Sequence, residues 1–238
     1  MRETLISGLN KLNISYSDEQ LDMIDNFYEM LVEKNKVLNL TRLTDREDFY
    51  VKHVLDSLLV SKICDLKDKY ILDVGTGAGF PGIPIKIFFP DTKLLLMDSV
   101  NKKLLFIEES IGKLGLNNIS VIHGRAEDLG HDNNYREKYD IAVSRAVADM
   151  SVLSELCIPF VRISGEFIAY KSSDSDEEIH SASKAIQTLS GSDASISDVE
   201  IPDTGIFRKL VMVKKKISTA KKYPRKPGIP SKNPIRST

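Results

Sequence analysis

The chain has 238 residues, of which 42% are hydrophobic and 28% are charged, enough for one globular domain with an appendage. No stretch approaches the roughly 18 consecutive apolar residues of a membrane-spanning helix, and the N-terminus lacks the apolar region of a signal peptide. The formal net charge is −1, but nine of the 33 Lys and Arg residues lie in residues 214–238, where no acidic residue occurs. An acidic body with a basic tail is typical of proteins that contact a polyanion.

The two cysteines show no spacing pattern that would indicate a function. Cys64 and Cys157 are isolated and lack the spacing of metal ligands. Two unpatterned cysteines suit a reducing compartment better than a disulfide framework, so we expect buried thiols, a cytoplasmic location and no metal site.

The first seventy residues predict helices. Ser17 is an N-cap candidate, and residues 21–32 and then 49–59 carry apolar side chains at helical spacing. From residue 70 onward, short apolar runs separated by helical stretches replace this pattern. The predicted division is an N-terminal helical cap (1–66), a central domain (67–216) and a basic C-terminal tail (217–238).

Five short, almost wholly apolar runs alternate with helical stretches, which indicates a parallel sheet covered on both faces. Two further runs near the C-terminus have no long helix between them and predict a closing hairpin, while residues 172–192 predict a helix. The expected fold is a doubly wound α/β sheet of seven strands, mostly parallel with an antiparallel end, preceded by the helical cap. The predicted strands are YILDVG (70–75), KLLLMDS (93–99), ISVIHG (119–124), DIAVSRA (140–146), GEFIAYK (165–171), ASISDVEIP (194–202) and FRKLVMVKKK (207–216).

Four glycines follow the first strand within eight residues, at Gly75, Gly77, Gly79 and Gly82. At the carboxyl end of a strand in an open α/β sheet, glycines permit a tight turn and let a ligand approach the main chain. The last three glycines match the G-x-G-x-x-G pattern of dinucleotide sites, but a lone match is weak evidence. A structural turn rich in glycine and proline is the alternative interpretation.

Acidic residues near the strand ends favour a different nucleoside ligand. Asp73 places a carboxylate where a pyrophosphate would lie, so it favours a cationic ligand without phosphate, such as S-adenosyl-L-methionine. Asp98 follows Gly79 by nineteen residues, near the roughly twenty-residue offset of a ribose-binding acid, with a helix cap as the alternative. Ala126 and Glu127, after the third strand, are placed to frame an adenine edge or to begin a helix.

Six segments together resemble one family, ribosomal RNA small subunit methyltransferase G, also called glucose-inhibited division protein B. A generic class I methyltransferase would share only the glycine segment, whereas this resemblance covers nearly the whole chain. It implies a class I, Rossmann-like fold and the use of S-adenosyl-L-methionine. The segments are NLTRLTDREDFYVKHVLDSLL (39–59), ILDVGTGAGFPGIPIKI (71–87), MDSVNKKLLFI (97–107), GRAEDL (124–129), AVSRAVADM (142–150) and KKYPRKPGIPSKNPI (221–235).

The resemblance also implies a reaction, methyl transfer to guanine N7 in 16S rRNA. N7 has an in-plane lone pair and no proton, so the reaction needs alignment rather than a general base. Residues 144–148 (SRAVA) lack the Asn/Asp-Pro-Pro-aromatic motif that accepts exocyclic amino groups, and neither cysteine has the setting of a nucleophilic thiolate. The family's cofactor contacts fall on Gly75, Phe80, Asp98, Ser99, Ala126, Glu127 and Arg145, to which the glycine turn adds Asp73 and Gly77.

Arg145 and His53 are the candidates for residues at the reacting centre. Arg145 can contact the cofactor, as the family implies, or hold the target guanine or its phosphate. A structural salt bridge is the alternative for this arginine. His53 and Asp56 share one helix face and are placed to orient the base, although a histidine in an amphipathic helix is more often structural.

The basic tail predicts an RNA contact. Its cations alternate with prolines that discourage helix, which indicates an extended arm able to follow a phosphate backbone. With 16S rRNA as the substrate that the resemblance implies, Lys221, Lys222, Arg225 and Lys226 are expected to bind it, in the small subunit or its precursor. The chain is expected to act as a monomer. The alternatives are a small-molecule methyltransferase and a non-catalytic, cofactor-binding ribosome assembly factor.

Overall fold

A computed structural model describes residues 2–38, 40 and 45–236 of the chain. Its centre is a seven-stranded sheet of order β3-β2-β1-β4-β5-β7-β6. β1 to β5 run parallel, β7 pairs antiparallel with β5, and β6 pairs antiparallel with β7. The strands are β1 (Tyr70–Val74), β2 (Lys93–Asp98), β3 (Ile119–His123), β4 (Tyr139–Arg145), β5 (Val161–Ser172), β6 (Ser195–Ile201) and β7 (Ile206–Lys214).

The central strands are buried on both faces. Nearly every side chain of β1 and β4 is shielded from solvent, as expected for parallel strands covered by helices on both sides. Successive residues point to opposite faces, so Ile71 joins one core cluster and Leu72 the other. The strand order reverses between β1 and β4, which leaves a crevice beyond the carboxyl ends of these two neighbours.

Helices cover both faces of the sheet. The two N-terminal helices and the helices that follow β1 and β2 contribute to one core cluster, and those that follow β3, β4 and β5 contribute to the other. Within the described ranges, no helix is both long and apolar enough to span a membrane. The helices of the first face are Glu3–Leu12, Asp18–Leu38, Gly82–Phe88 and Asn101–Lys113, and those of the second are Ala126–Leu129, Met150–Cys157, Asp176–Ser181 and Ser183–Thr188.

Residues 46–62 form a continuous helical segment that changes its winding along its length. The Asp45 carboxylate caps its start by accepting the Asp48 N–H at 3.0 Å. A π-helical stretch, Phe49–Leu55, then interrupts the α-helical turns, and the segment ends in a 3₁₀ turn. Such π stretches are rare and concentrate at functional sites. Here the stretch carries His53, which reaches the end of β4.

An aromatic cluster joins the N-terminal helices to the sheet. The Phe27 ring lies 5.5 Å from that of Phe80 and 6.0 Å from that of Phe106, centroid to centroid, and 6.3 Å from that of Phe49. These side chains come from four separate helical or loop segments. The N-terminal helices are thus packed directly against the loop that follows β1.

The five parallel strands and the closing hairpin confirm the fold predicted from the sequence. Residues 172–192 differ from the single helix expected, because they form two short helices that meet at Ala182. Near this junction, the Ser181 and Ser183 hydroxyls donate to the carbonyls of Glu178 and His180, a local bonding that competes with regular helix.

The basic tail also differs from the extended arm expected. It contains a short helix, Ile229–Lys232, and packs against the body of the protein. One reason is a tertiary ion pair between Arg225 and Glu155, which sequence composition does not reveal. Part of the first resembling segment, residues 39 and 41–44, lies outside the described residues, as do residues 237–238. The division at residues 66 and 216 stays a prediction.

Candidate active site

A cavity of about 540 Å³ lies in the crevice at the carboxyl ends of the parallel strands. The segments after β1, β2, β3 and β4 line it, together with part of the N-terminal helical segment and of the C-terminal tail. This is where ligands bind in open α/β sheets. The cavity brings together most of the predicted cofactor residues: Gly75, Gly77, Phe80, Asp98, Ser99, Ala126, Glu127 and Arg145, with His53 beside them.

The glycine loop is shaped by backbone conformations that side chains disfavour. Gly75, Gly77 and Gly79 have φ angles of +74°, +64° and +97°. A Cβ on Gly75 would lie 2.5 Å from Val147, so packing also excludes a side chain there. A Cβ on Gly77 would meet only the Gly75 carbonyl oxygen, at 4.0 Å. The space beside Gly77 therefore belongs to the cavity and is open to a ligand.

Asp73 braces this loop rather than facing the cavity. Its fully buried carboxylate accepts the Thr76 hydroxyl at 2.7 Å and the Gly82 N–H at 2.9 Å, through the same Oδ2 atom. A Cβ on Gly82 would lie 3.0 Å from that oxygen, so this glycine permits the close approach. Burial raises the pKa of Asp73 to about 7. The direct cofactor contact predicted for Asp73 stays a prediction, while the geometry gives it a supporting role.

Asp98 connects the second strand to the glycine loop. Its carboxylate accepts the Gly77 N–H at 2.9 Å through Oδ2 and the Val100 N–H at 2.8 Å through Oδ1. Each carboxylate oxygen offers more than one lone pair, so both can accept a further hydroxyl from the cavity. Ser99 follows, and its carbonyl lies 3.1 Å from Nε2 of His123. Asp98 thus both positions the loop and presents acceptor capacity to a ligand.

Ala126 and Glu127 begin the short helix after β3, and both are buried at the cavity wall. The Glu127 carboxylate accepts the N–H of Gly228 from the C-terminal tail at 3.1 Å. Sequence reasoning placed Glu127 here but missed this partner, since 101 residues separate the two in the chain.

Arg145 ends β4 within a network of charged groups. Its guanidinium donates to Oδ2 of Asp56 at 2.9 Å, and Arg208 donates to Oδ1 of the same buried carboxylate at 3.0 Å. The Arg145 guanidinium carbon also lies 5.3 Å from the centre of the Phe80 ring. The salt bridge considered for Arg145 therefore exists, and it holds the guanidinium at the cavity. Arg208 was not foreseen, because no local signal in the sequence links β7 to residue 56.

His53 stacks on Phe80, with ring centroids 4.5 Å apart and an interplanar angle of 13°. Its Nδ1 atom lies 3.3 Å from the Arg145 guanidinium. Burial and the positive charge of Arg145 lower the pKa of His53 to about 4, so the imidazole is neutral at neutral pH. Nδ1 can then accept from Arg145, which leaves the proton on Nε2.

A second cavity of about 500 Å³ adjoins the first, and the two share His53, Arg145 and Ala146. Its other walls include Lys171 of β5 and Arg208 of β7. Lys171 forms an ion pair with Glu178 at 2.5 Å. Four basic and two acidic side chains line this cavity, so its net charge is positive.

The tail residues predicted to bind RNA fall into two groups. Lys221, Lys222 and Lys226 are exposed. Arg225 instead forms a bidentate ion pair with the buried Glu155, with its Nη2 atom 2.6 Å from Oε2. The sequence did not distinguish this arginine from its neighbours.

The fold is that of Rossmann-like methyltransferases. The chain is similar to a SAM dependent methyltransferase from Aquifex aeolicus, with a TM-score of 0.52 and 18% identity over 74% of this chain and 96% of that chain. It is also similar to a methyltransferase from Pyrococcus furiosus, with a TM-score of 0.55 and 14% identity over 79% and 95% of the two chains. These similarities define the class of fold.

Sequence comparison identifies the family. The sequence model of the GidB family, rRNA small subunit methyltransferase G, matches residues 20–207. The ribosomal RNA small subunit methyltransferase G of Acetivibrio thermocellus is 45% identical, over 99% of this chain and 97% of the relative. That of Desulforamulus reducens is 46% identical, over 98% and 97%. The chain belongs to the rRNA small subunit methyltransferase G family.

Proposed function

We propose that this protein transfers a methyl group from S-adenosyl-L-methionine to N7 of a guanine in 16S rRNA, acting as a cytoplasmic monomer. The observation that carries the proposal is the near full-length similarity to ribosomal RNA small subunit methyltransferase G proteins, together with a glycine-lined cavity at the expected strand ends. The cavity is evidence for S-adenosyl-L-methionine as the methyl donor, and the basic side chains around it are evidence for a nucleic acid as the acceptor.

The residues around the cavity fit S-adenosyl-L-methionine. Gly77 leaves open space, and the buried carboxylates of Asp98 and Glu127 reach the wall. Carboxylates favour a ligand with hydroxyl and ammonium groups over one with phosphates. When bound, this cofactor supplies an electrophilic methyl group on a sulfonium. Across the part of the chain that the structure describes, no cluster of three or more His, Cys, Asp or Glu is arranged as a metal site.

Attack by guanine N7 needs no proton removal. The side chains at the cavity are consistent with a reaction that uses neither a general base nor a protein nucleophile. His53 is neutral at neutral pH and holds its ring against Phe80, an arrangement that suits positioning. Burial raises the pKa of Cys64 to about 12 and that of Cys157 above its usual range, so neither thiol is an activated nucleophile. Alignment of the reacting atoms remains as the main source of rate enhancement.

The second cavity supports a nucleotide acceptor. It meets the methyl-donor cavity at His53 and Arg145, so a base that enters it lies next to the methyl donor. Its positive charge, from Lys171 and Arg208 among others, suits a phosphate of the same nucleotide or its neighbour. The tail adds three exposed lysines, Lys221, Lys222 and Lys226, as further candidates for phosphate contacts.

The test is methyl transfer in vitro followed by mapping of the modified base. Purified protein is incubated with tritiated S-adenosyl-L-methionine and either naked 16S rRNA or 30S subunits from a strain that lacks the gene. We expect one 7-methylguanosine, located by mass spectrometry of nuclease fragments. Incorporation at another atom would contradict N7 transfer. Cofactor binding without transfer to either RNA substrate would favour an assembly factor, and transfer to a small molecule alone would contradict an RNA substrate.

A further inference from the structure

The last strand, β7, ends at the end of the sheet opposite the cavity, and the C-terminal tail runs from there back to the cavity. We call residues 219–232 the C-terminal strap. Ser231 lines the cavity, and the Gly228 N–H donates to the Glu127 carboxylate at 3.1 Å. The strap therefore contacts the predicted cofactor site at two points, although it follows the last strand of the sheet.

The loop after the helix Ala126–Leu129 holds the strap in place. The Arg136 guanidinium donates to the carbonyl of Tyr223 at 2.8 Å and to that of Thr219 at 2.7 Å. A Cβ on Gly130 would lie only 2.7 Å from the Pro224 ring, so the glycine lets the strap pack closely. The helix that carries Glu127 is thus continuous with the loop on which the strap is anchored.

A buried ion pair fixes the strap against the second face of the sheet. Glu155 lies in the helix Met150–Cys157 with 1% of its side chain exposed, and Arg225 is its partner. Arg225 donates its backbone N–H to Oε1 at 2.7 Å and its Nη2 to Oε2 at 2.6 Å. A carboxylate this buried is strongly destabilising without its partner, so the docked position of the strap is well specified. The next residue of that helix, Leu156, lines the cavity.

We propose that the C-terminal strap is a structural wall of the methyl-donor site, with Ser231 as a cofactor-binding residue and Gly228 as a positioning residue for Glu127. The inference rests on the proposed function, because it takes S-adenosyl-L-methionine as the ligand of the cavity. Since binding free energies are reciprocal, a ligand that prefers the docked strap also stabilises the strap in that position. The same segment carries the exposed lysines that are predicted to bind RNA.

Calorimetry with S-adenosylhomocysteine tests the direct contact. We expect Ser231→Ala to bind this product two- to tenfold more weakly than wild type, about the effect of one lost hydrogen bond. Ser183→Ala is the matched control, because Ser183 is also an exposed helical serine but lies away from the cavity. Equal affinities of the two variants would overturn the role of Ser231. If wild type itself fails to bind, the proposed function fails instead.

Limited proteolysis tests the coupling without any activity measurement. Saturating S-adenosylhomocysteine should slow tryptic cleavage after Lys222 and Lys232 at least threefold, whereas cleavage after Lys67, at the opposite end of the sheet, stays unchanged. Equal rates in the strap with and without the ligand, at concentrations that calorimetry shows to saturate wild type, would overturn the coupling.

The anchor provides an independent variant. Arg225→Ala lies outside the cavity, yet it should weaken S-adenosylhomocysteine binding because the strap undocks. Arg162→Ala, which breaks an ion pair with Asp140 at the opposite end of the sheet, is its control and should bind as wild type. Should Arg225→Ala fail to fold, Arg225→Lys keeps the charge opposite Glu155 and loses the bidentate geometry. Wild-type affinity in a folded Arg225 variant would contradict the proposal.

Discussion

Two glycines with the same φ angle allow a direct test of the cavity. Gly77 and Gly115 both have a φ of +64°, and at neither position would a Cβ come closer than 4.0 Å to an atom beyond the adjacent residues. Alanine at either position therefore meets the same left-handed strain, about 1 kcal/mol. The two substitutions should lower the free energy of unfolding by the same amount, measured by urea denaturation.

They should differ in ligand binding. Gly77 lines the cavity beside the Asp98 carboxylate, whereas Gly115 lies in a surface turn after the helix Asn101–Lys113. A methyl group on residue 77 takes space that a ligand would fill, so Gly77→Ala should bind S-adenosylhomocysteine at least about tenfold more weakly, equivalent to about 1.4 kcal/mol. Gly115→Ala should bind as wild type. Equal affinity of the two variants, or selective unfolding of Gly77→Ala, would refute the assignment of this space to the ligand.

The remaining predictions concern charge. Asp56→Asn should lower the free energy of unfolding by about 2–4 kcal/mol, since it removes the buried partner of two arginines, while Asp203→Asn, an exposed pair, stays near wild type in urea denaturation. Because the pKa of His53 is lowered to about 4, its contribution to stability is complete above the unfolded pKa of about 6.5 and is lost as the pH falls toward 4. The stability of wild type should therefore fall more than that of His53→Gln over this range, by about 1–3 kcal/mol, and parallel pH profiles would count against the assignment. Lys222→Ala with Lys226→Ala should weaken rRNA binding in filter-binding assays and flatten its salt dependence by roughly 0.7–0.9 in log–log slope per lost phosphate contact, whereas an unchanged slope would exclude these lysines as phosphate contacts.

The sheet and the glycine loop were predictable because their determinants are local. Apolar runs and their spacing identified the parallel strands, and the position of Asp98 at the end of the second strand placed it at the cavity. The direction of the Asp73 carboxylate was harder to foresee. Its partners, Thr76 and Gly82, are close in sequence, but only the folded turn shows that one oxygen contacts both.

The missed features of the site and of the tail depend on contacts between distant parts of the chain, whereas the break between the two helices of residues 172–192 involves local hydrogen bonds. Arg208 reaches Asp56 across 152 residues, and Arg225 reaches Glu155 across 70. No periodicity encodes such pairs, so composition alone suggested an extended tail. The consequence is functional as well, because a tail expected to contact only RNA lies against the cofactor cavity. Tail substitutions and cofactor-site substitutions should therefore affect overlapping properties, in contrast to a simple division between RNA and cofactor binding.

The residues that line the cavity are as far apart in the sequence as Leu40 and Ser231. This separation has a consequence for biosynthesis. Contacts between remote segments form late in folding, because the intervening chain must lose its freedom first. During translation, the five parallel strands, which end at Ser172, leave the ribosome well before Ser231 does, and the closing hairpin leaves shortly before it. A nascent chain can therefore assemble its core before it has a complete ligand site. Stabilisation by the methyl donor then becomes available only to chains whose strap has docked, which links ligand occupancy to the completion of that contact.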